Sequence, residues 1–333
     1  MKKTMLVALT LLLPAGQAQL WATPHATVAQ PILAAFSGEG DIWHQGDVRL
    51  ELDRVGQRVI GIYVTAPQAQ TEAVARGILA AWGAPETAVP DLQKLLDDPG
   101  FQKQVSGQLF EELDQSGGSA VHVRLRGGQW EVYTAIKVHD TAAFPPVTSA
   151  LGNETAQARI DIASDYQCPY CNQLWQGEAL AEWRRKPGVY RLNYHHFPLG
   201  MHPLALPAAQ YAECAAEQGR FWEFSDEINA DFDRWMGQPD AEARQSFMAY
   251  AVSAGAKQPE MEACLDKVNT QAIMGTMTIL QGQFGVNSTP SVFVNGIRVG
   301  NYADAAQIRA IRAVTEAGPG AGNVIAKRLE TMR

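Results

Sequence analysis

The stretch Ser164-Asp165-Tyr166-Gln167-Cys168-Pro169-Tyr170-Cys171-Asn172-Gln173-Leu174-Trp175 holds two of the chain's four cysteines, with two residues between them. Thiols at that spacing can hold a metal, staple the chain, or open and close as a redox pair. A zinc site takes four ligands, typically with a second C-x-x-C or a pair of histidines. Cys214 and Cys264 stand singly, so there is no second cysteine pair. His195, His196 and His202 lie close in sequence and keep a copper or zinc site open on ligand count. The plainer expectation makes those histidines solvent-exposed or capping residues. A purely structural disulfide across two residues removes little chain entropy, because the loop is so short. Redox chemistry is the reading we carry forward, with no metal and no cofactor.

The elements around the pair supply the physical reason. Residues 158–163 (ARIDIA) form a short strand that leads into the motif, and helical periodicity follows over 173–184. Cys168 then stands at a helix N-terminus, with Pro169 in the first turn, where a missing N–H is harmless. Free backbone N–H groups and the aligned peptide dipoles stabilise an anion there. A thiol in such a setting falls from a pKa of about 8.5 into the range of about 3.5–7.5. Cys168 becomes the nucleophile and leaving group, and Cys171, one turn on, the resolving thiol.

Around this core the pattern divides. Residues 47–55 and 58–65 alternate about a Gly56-Gln57 turn and predict a hairpin. Helical periodicity covers 71–82 and, interrupted at Pro99-Gly100, 91–113. A second hairpin is expected over 120–125 and 130–138. Two histidines expected on these strands, His122 and His139, read as surface or satisfied residues. Proline, glycine and polar residues at 144–154 mark a boundary. Beyond it come strand 189–196, a long helical region over about 203–283, a closing hairpin of 291–294 and 297–299, and a helix over 303–315. The expected organisation is therefore an α+β domain at 19–150, to which no chemistry attaches, and a redox domain at 151–333. Phe221, Trp222, Phe224, Phe232 and Trp235 read mainly as core, with a minority left to line a groove near Cys168.

The chain has 333 residues, enough for two cores, and a formal net charge of −8, which argues against nucleic acid or anionic membrane as the main partner. Met1-Lys2-Lys3, the apolar run 5–13 and Gly16-Gln17-Ala18 form an export signal, cleaved after Ala18 or, as second candidate, Ala22. The run is too short to span a bilayer. The expected location is an oxidising compartment, most simply a bacterial periplasm, where neighbouring thiols oxidise. There a disulfide between Cys214 and Cys264 is favoured over two free buried thiols.

With these residues in place, the sequence resembles the DsbA-type thiol–disulfide oxidoreductases. The motifs are DYQCPYC (165–171), HFPLGMHP (196–203), ECAAEQGRFWEF (213–224) and GVNSTPSVFVNG (285–296), in that order. The resemblance covers about residues 155–317 and leaves 19–150 uncovered. It implies an α/β chain with a thioredoxin-like fold, an inserted helical domain, and a separate small α+β domain ahead of it. It implies Cys168 as attacking cysteine and Cys171 as its buried partner. It places Pro169, Tyr170, Thr289 and Pro290 in the redox motif and substrate-binding loop, with Thr289-Pro290 cis. Many relatives carry a carboxylate six residues before the first cysteine; here that residue is Ile162, and Asp161 should point to the opposite face. Thioredoxin-fold isomerases are similar in being apolar there, which tilts the expectation toward isomerase or reductase work. The implied partners are substrate proteins with thiols or disulfides, and a membrane redox partner that recycles the cysteines. The N-terminal domain is assigned dimerisation or substrate holding. The competing class is a non-catalytic chaperone or metal carrier on the same fold.

Overall fold

The computed structural model describes residues 20–114, 117–268, 270–316 and 320–333; the expected export segment 1–18 lies outside the described residues. The chain divides into two units, one of Met1–Val138 with Arg309–Arg333, the other of His139–Ile308.

In the first unit the strands are Ser37–Glu39 (β1), Ile42–Gln45 (β2), Val48–Val55 (β3), Arg58–Pro67 (β4), Phe110–Leu113 (β5), Ser119–Arg126 (β6) and Gln129–Ile136 (β7). Among the described residues they form a seven-stranded antiparallel sheet in the order β1-β2-β3-β4-β7-β6-β5. Alternation sets its two faces: Val48, Leu50 and Leu52 are buried, while Arg49, Glu51 and Asp53 point the other way. Helix Thr71–Trp82 lies against β4 and β7. Gly77 permits that approach, since a Cβ there would come within 2.4 Å of Val64 Cγ2. The helix stops at Gly83, whose φ of 62° is a left-handed conformation that favours glycine.

Two expectations change here. Residues 91–113 are not helical throughout: helices Val89–Asp97 and Pro99–Gln104 give way to strand β5. Asp98 ends one helix and caps the next, its carboxylate accepting from Phe101 N at 2.8 Å, so the chain turns before it can continue. The second correction concerns the C-terminus, which belongs with the first unit rather than the redox domain. Helix Gly320–Thr331 lies against β3, and Arg328 donates to Asp53 at 2.6 and 3.0 Å and to Glu51 at 3.1 Å, over the Tyr63 ring. Ile325, Leu329 and Met332 complete an apolar cluster with Tyr133 and Ala135. His122 is buried on β6, stacked against Tyr133.

The second unit begins earlier than expected, at residue 139. His139 donates from its backbone N to Gly296 O at 2.9 Å and its ring lies on Phe284; it is on no strand. Phe144 is part of this unit's core, so the 144–154 break lies within the unit and contains a short strand. The strands are Ala150–Leu151 (β8), Ala158–Ser164 (β9), Tyr190–His196 (β10), Ser291–Val294 (β11) and Ile297–Arg298 (β12), in the order β12-β11-β9-β10-β8. β9 and β10 run parallel, and the other pairs are antiparallel. The parallel pair needs a crossover, which helices Pro169–Gln176 and Glu178–Arg185 provide. This is the thioredoxin-like α/β arrangement anticipated from the motifs, with helices inserted between β10 and β11.

The insertion comprises Ala205–Glu217, Phe221–Ala230, Phe232–Trp235, Asp240–Ser253, Gln258–Leu265 and Thr270–Phe284. Phe221, Trp222, Phe224, Phe232 and Trp235 are all buried in it. Cys214 and Cys264 are bonded to each other, with Cα atoms 5.6 Å apart and a separation of 50 positions in sequence. Closing so long a loop constrains the unfolded chain by about 4 kcal/mol in the chain-entropy view. The double variant Cys214→Ser/Cys264→Ser should therefore lose about 2–4 kcal/mol in denaturant unfolding. A loss below about 0.5 kcal/mol would show that the bond adds nothing to the fold.

Candidate active site

Strand β9 ends at Ser164 and aims the chain at the cysteines. Asp165 makes the turn: its carboxylate accepts from Gln167 N at 2.7 Å, from Leu199 N at 2.8 Å and from His202 Nδ1 at 2.8 Å. One buried side chain thus fixes both the loop before Cys168 and the 199–202 loop. Burial raises the Asp165 pKa, against the lowering effect of those three donors. Gln167 holds the same loop to the helical insertion, donating to Met236 O at 2.8 Å while its oxygen accepts from Leu204 N at 2.7 Å.

Cys168 is the N-cap of helix Pro169–Gln176, with Pro169 in the first turn. The helix therefore starts at Pro169 and ends at Gln176, followed by a separate helix, rather than running over 173–184. Cys168 is only 4% exposed, and its Sγ lies 3.5 Å from Thr289 O. The Thr289–Pro290 bond is cis. The structure thus gathers Cys168, Cys171, Pro169, Tyr170, Thr289 and Pro290 in one place, while Cys214 and Cys264 sit in the helical insertion.

The two thiols differ sharply. A hydrogen bond from Cys171 lowers the Cys168 pKa to about 5, with burial opposing it and the Thr289 hydroxyl and the N–H groups of Cys171 and Tyr170 assisting. Cys171 is pushed well above the usual thiol value, first by burial and then by its hydrogen bond to Cys168 and the charge there. Its sulfur accepts from Asp165 N at 3.4 Å. An anionic outer sulfur and a protonated inner one make a nucleophile with a resolving thiol held in reserve.

The three neighbouring histidines are not exposed or capping residues. His195 Nε2 meets Asp161 at 2.9 Å, His196 Nε2 meets Glu213 at 2.9 Å, and His202 serves Asp165. Each has its own carboxylate. Among the described residues no group of three or more His, Cys, Asp or Glu side chains could hold a metal ion. Asp161 is fully buried on the sheet face that carries His195, bound also by Arg159 at 2.7 and 2.8 Å.

Sequence reasoning missed Asp165, Gln167, Ser164 and Tyr194. It also missed Tyr302, whose pKa is raised by burial and by the nearby Cys171 and Cys168 sulfurs. Asp165 carried a local signal, since an Asp bonding two residues onward is a turn former. The others carried none.

A pH prediction follows from Cys168. A group whose pKa is lower in the folded protein adds stability that is complete above its unfolded value and lost as pH falls through its folded value. For Cys168 that window runs from the unfolded thiol value of about 8.5 down to about 5. Cys171 stays protonated in the folded state over this range and titrates in the unfolded chain only at its upper end. The reduced protein should therefore lose stability relative to the oxidised protein between about pH 8 and about pH 4 in denaturant unfolding. Parallel profiles for the two forms would contradict the assignment.

A thioredoxin family model matches residues 146–312, half of the chain. Among curated proteins, the Na(+)/H(+) antiporter NhaA 1 of Mycolicibacterium vanbaalenii is 36% identical over 155 residues, covering 45% of this chain and 24% of that protein. The antiporter NhaA of Herminiimonas arsenicoxydans is 28% identical over 177 residues, 52% of this chain and 26% of that protein. The chain spans about a quarter of the length of the curated relatives it matches. Among solved structures, a thioredoxin-like oxidoreductase from Silicibacter pomeroyi aligns at a TM-score of 0.44 and 20% identity, over 54% of this chain and 100% of that one. BdbD from Bacillus subtilis aligns at 0.40 and 19%, over 58% and 96%. With its parallel β9–β10 pair, its cysteine-capped helix and the family match over half its length, the chain belongs to the thioredoxin family.

Proposed function

We propose that the chain is an exported thiol–disulfide oxidoreductase acting on proteins through Cys168 and Cys171. The observation that carries this reading is the asymmetry of the pair: a stabilised thiolate at a helix start, 3.5 Å from Thr289 O, backed by a buried protonated thiol. In the oxidised protein a substrate thiolate attacks Cys168 and a mixed disulfide forms. The substrate's second thiol then displaces Cys168, leaving the substrate oxidised and the pair reduced. Run the other way, Cys168 attacks a substrate disulfide and Cys171 resolves the intermediate.

The surface beside the pair suits a polypeptide. Tyr170 is 64% exposed and Met201 79% exposed, and Met236 is also exposed. Met201 lies in the loop that Asp165 grips, and the Met236 carbonyl receives Gln167. These three apolar side chains are thus tethered to the cysteine loop. The buried insertion aromatics, by contrast, support packing and not a groove. Thr289, with its carbonyl beside the thiol, is the backbone we assign to pairing with an extended substrate.

A stabilised Cys168 thiolate favours the reduced pair, so its disulfide should be oxidising. A pKa of about 5 falls between those of thioredoxin, about 7, and DsbA, about 3.5. The direction we propose is disulfide formation and isomerisation rather than reduction, with a membrane redox partner resetting the cysteines. The first unit is assigned substrate holding or homodimerisation on its position alone, and a monomeric mass at high concentration would remove the dimer form. Antiport belongs to relatives of which this chain matches about a quarter of the length; the geometry here supports sulfur chemistry.

For the export signal, periplasmic processing after Ala18 fits better than after Ala22. Leu20 is 1% exposed, and Trp21 N donates to Val59 O at 2.7 Å, contacts that the second cleavage would remove. The mass of the mature N-terminus distinguishes the two. The reading as a whole is tested by equilibrating the pair with glutathione. The expected potential lies between about −120 and about −270 mV; a value at or below about −270 mV would contradict an oxidising role. Retention of full exchange activity by Cys168→Ser would overturn the assignment of the nucleophile.

A further inference from the structure

Asp165 stands at the joint of the active site. Its backbone N–H reaches the Cys171 sulfur at 3.4 Å, and its carbonyl accepts from Cys168 N at 3.1 Å. Its buried carboxylate joins the same turn to the segment that follows β10. Oδ1 accepts from Gln167 N at 2.7 Å, and Oδ2 accepts from Leu199 N and from His202 Nδ1, each at 2.8 Å. These partners call for an acceptor, so Asp165 serves as the ionised carboxylate and His202 carries its proton on Nδ1.

Further bonds run beside these: Phe197 N donates to Ser164 O at 2.8 Å, and Leu204 N to the Gln167 side chain at 2.7 Å. In each of them the segment after β10 contributes a backbone N–H, which no substitution short of proline removes. His202 is different, because there the segment contributes a side chain. Its backbone is fixed on both sides, N to Leu199 O at 2.9 Å and O to Ala205 N at 3.1 Å, so the ring is held where the carboxylate needs it. Burial raises the Asp165 pKa, and the bonds from Leu199 N, His202 and Gln167 N lower it. Without the ring, Oδ2 keeps one donor, and proton uptake would set a hydroxyl against backbone N–H groups that need an acceptor. The turn would loosen, and Cys168 would lose the fixed place in which it caps its helix.

We propose that His202 is a positioning residue for Cys168: by donating to the buried Asp165 carboxylate it fixes the turn that presents the attacking sulfur. The proposal deepens, and rests on, the reading of Cys168 as the nucleophile. His202 acts through Asp165 and takes no part in the exchange steps themselves.

The experiment follows the ultraviolet absorbance of the thiolate against pH in the full reduced chain, with the oxidised chain as blank. His202→Leu fills much of the ring's space without a donor. His202→Asn places its amide Nδ2 where Nδ1 stands and keeps the bond. Both replacements are neutral, so a direct effect of imidazole charge on the sulfur would move them equally. The wild-type midpoint should lie near pH 5, with His202→Leu about one pH unit higher and His202→Asn close to wild type. One unit is a tenfold loss of thiolate stabilisation, so the redox potential of His202→Leu should also fall by about 30 mV. A loss of overall stability that leaves the site intact moves neither quantity. If His202→Leu fails to fold, His202→Gln, whose amide reaches the Nε2 position instead, takes its place with the same expected shift. A donor-lacking variant that titrates like wild type, or that shifts no further than His202→Asn, overturns the proposal. Failure of the underlying reading looks different: the wild-type chain itself would then titrate near the ordinary thiol value of about 8.5.

Discussion

A negative sulfur is expensive to bury, and everything near Cys168 reduces that expense. The helix that Cys168 caps offers unpaired N–H groups, Thr289 offers a hydroxyl, and Cys171 offers a thiol proton. None of these donors is charged. The stabilisation depends on position alone, which is why the cysteine loop is bound at so many points. Asp165 spends its whole carboxylate on it, and Gln167 both ends of its amide. A loop free to move would lose the donors and return the thiol toward its ordinary pKa.

The helical insertion serves the same end. Its helices bring Met236 O, the Asn229 carbonyl for Asn172, and Asp226 for Trp175 and Arg184 to the crossover helices. The Cys214–Cys264 bond ties two of its helices together. A sheet of five strands, two of them only two residues long, is a modest platform. Helices stacked over the cysteine-bearing face give the motif a second wall.

The redox pair was legible from sequence because its chemistry is local: two thiols, a proline and a preceding strand lie within a few residues. The cis proline needed the resemblance, since nothing about Thr289-Pro290 alone sets it apart. The strands of the central hairpins were visible through strict alternation, as in residues 48–55. What stayed hidden depends on distant partners. The C-terminal helix begins after a glycine-rich run and makes sense only against Asp53, 275 residues away. The three histidines looked exposed because their carboxylates come from strand β9, from the turn after it and from an inserted helix. β5 was taken for helix because a four-residue strand pairing along one side shows little period of its own.

The alternation of β9 separates two chemistries. One face carries Asp161 with Arg159 and His195, a closed ionic group that stabilises the sheet. The other carries Ile162 and Ser164 toward the cysteines, apolar and hydroxylic, with no charge to compete with the thiolate. Alkylating the reduced chain across pH, with the modified residue located by mass spectrometry, tests this account most directly. Labelling should fall on Cys168, reach half its plateau rate near pH 5, and spare Cys171. A half-plateau near the ordinary thiol value of about 8.5, or a label on Cys171, would contradict it.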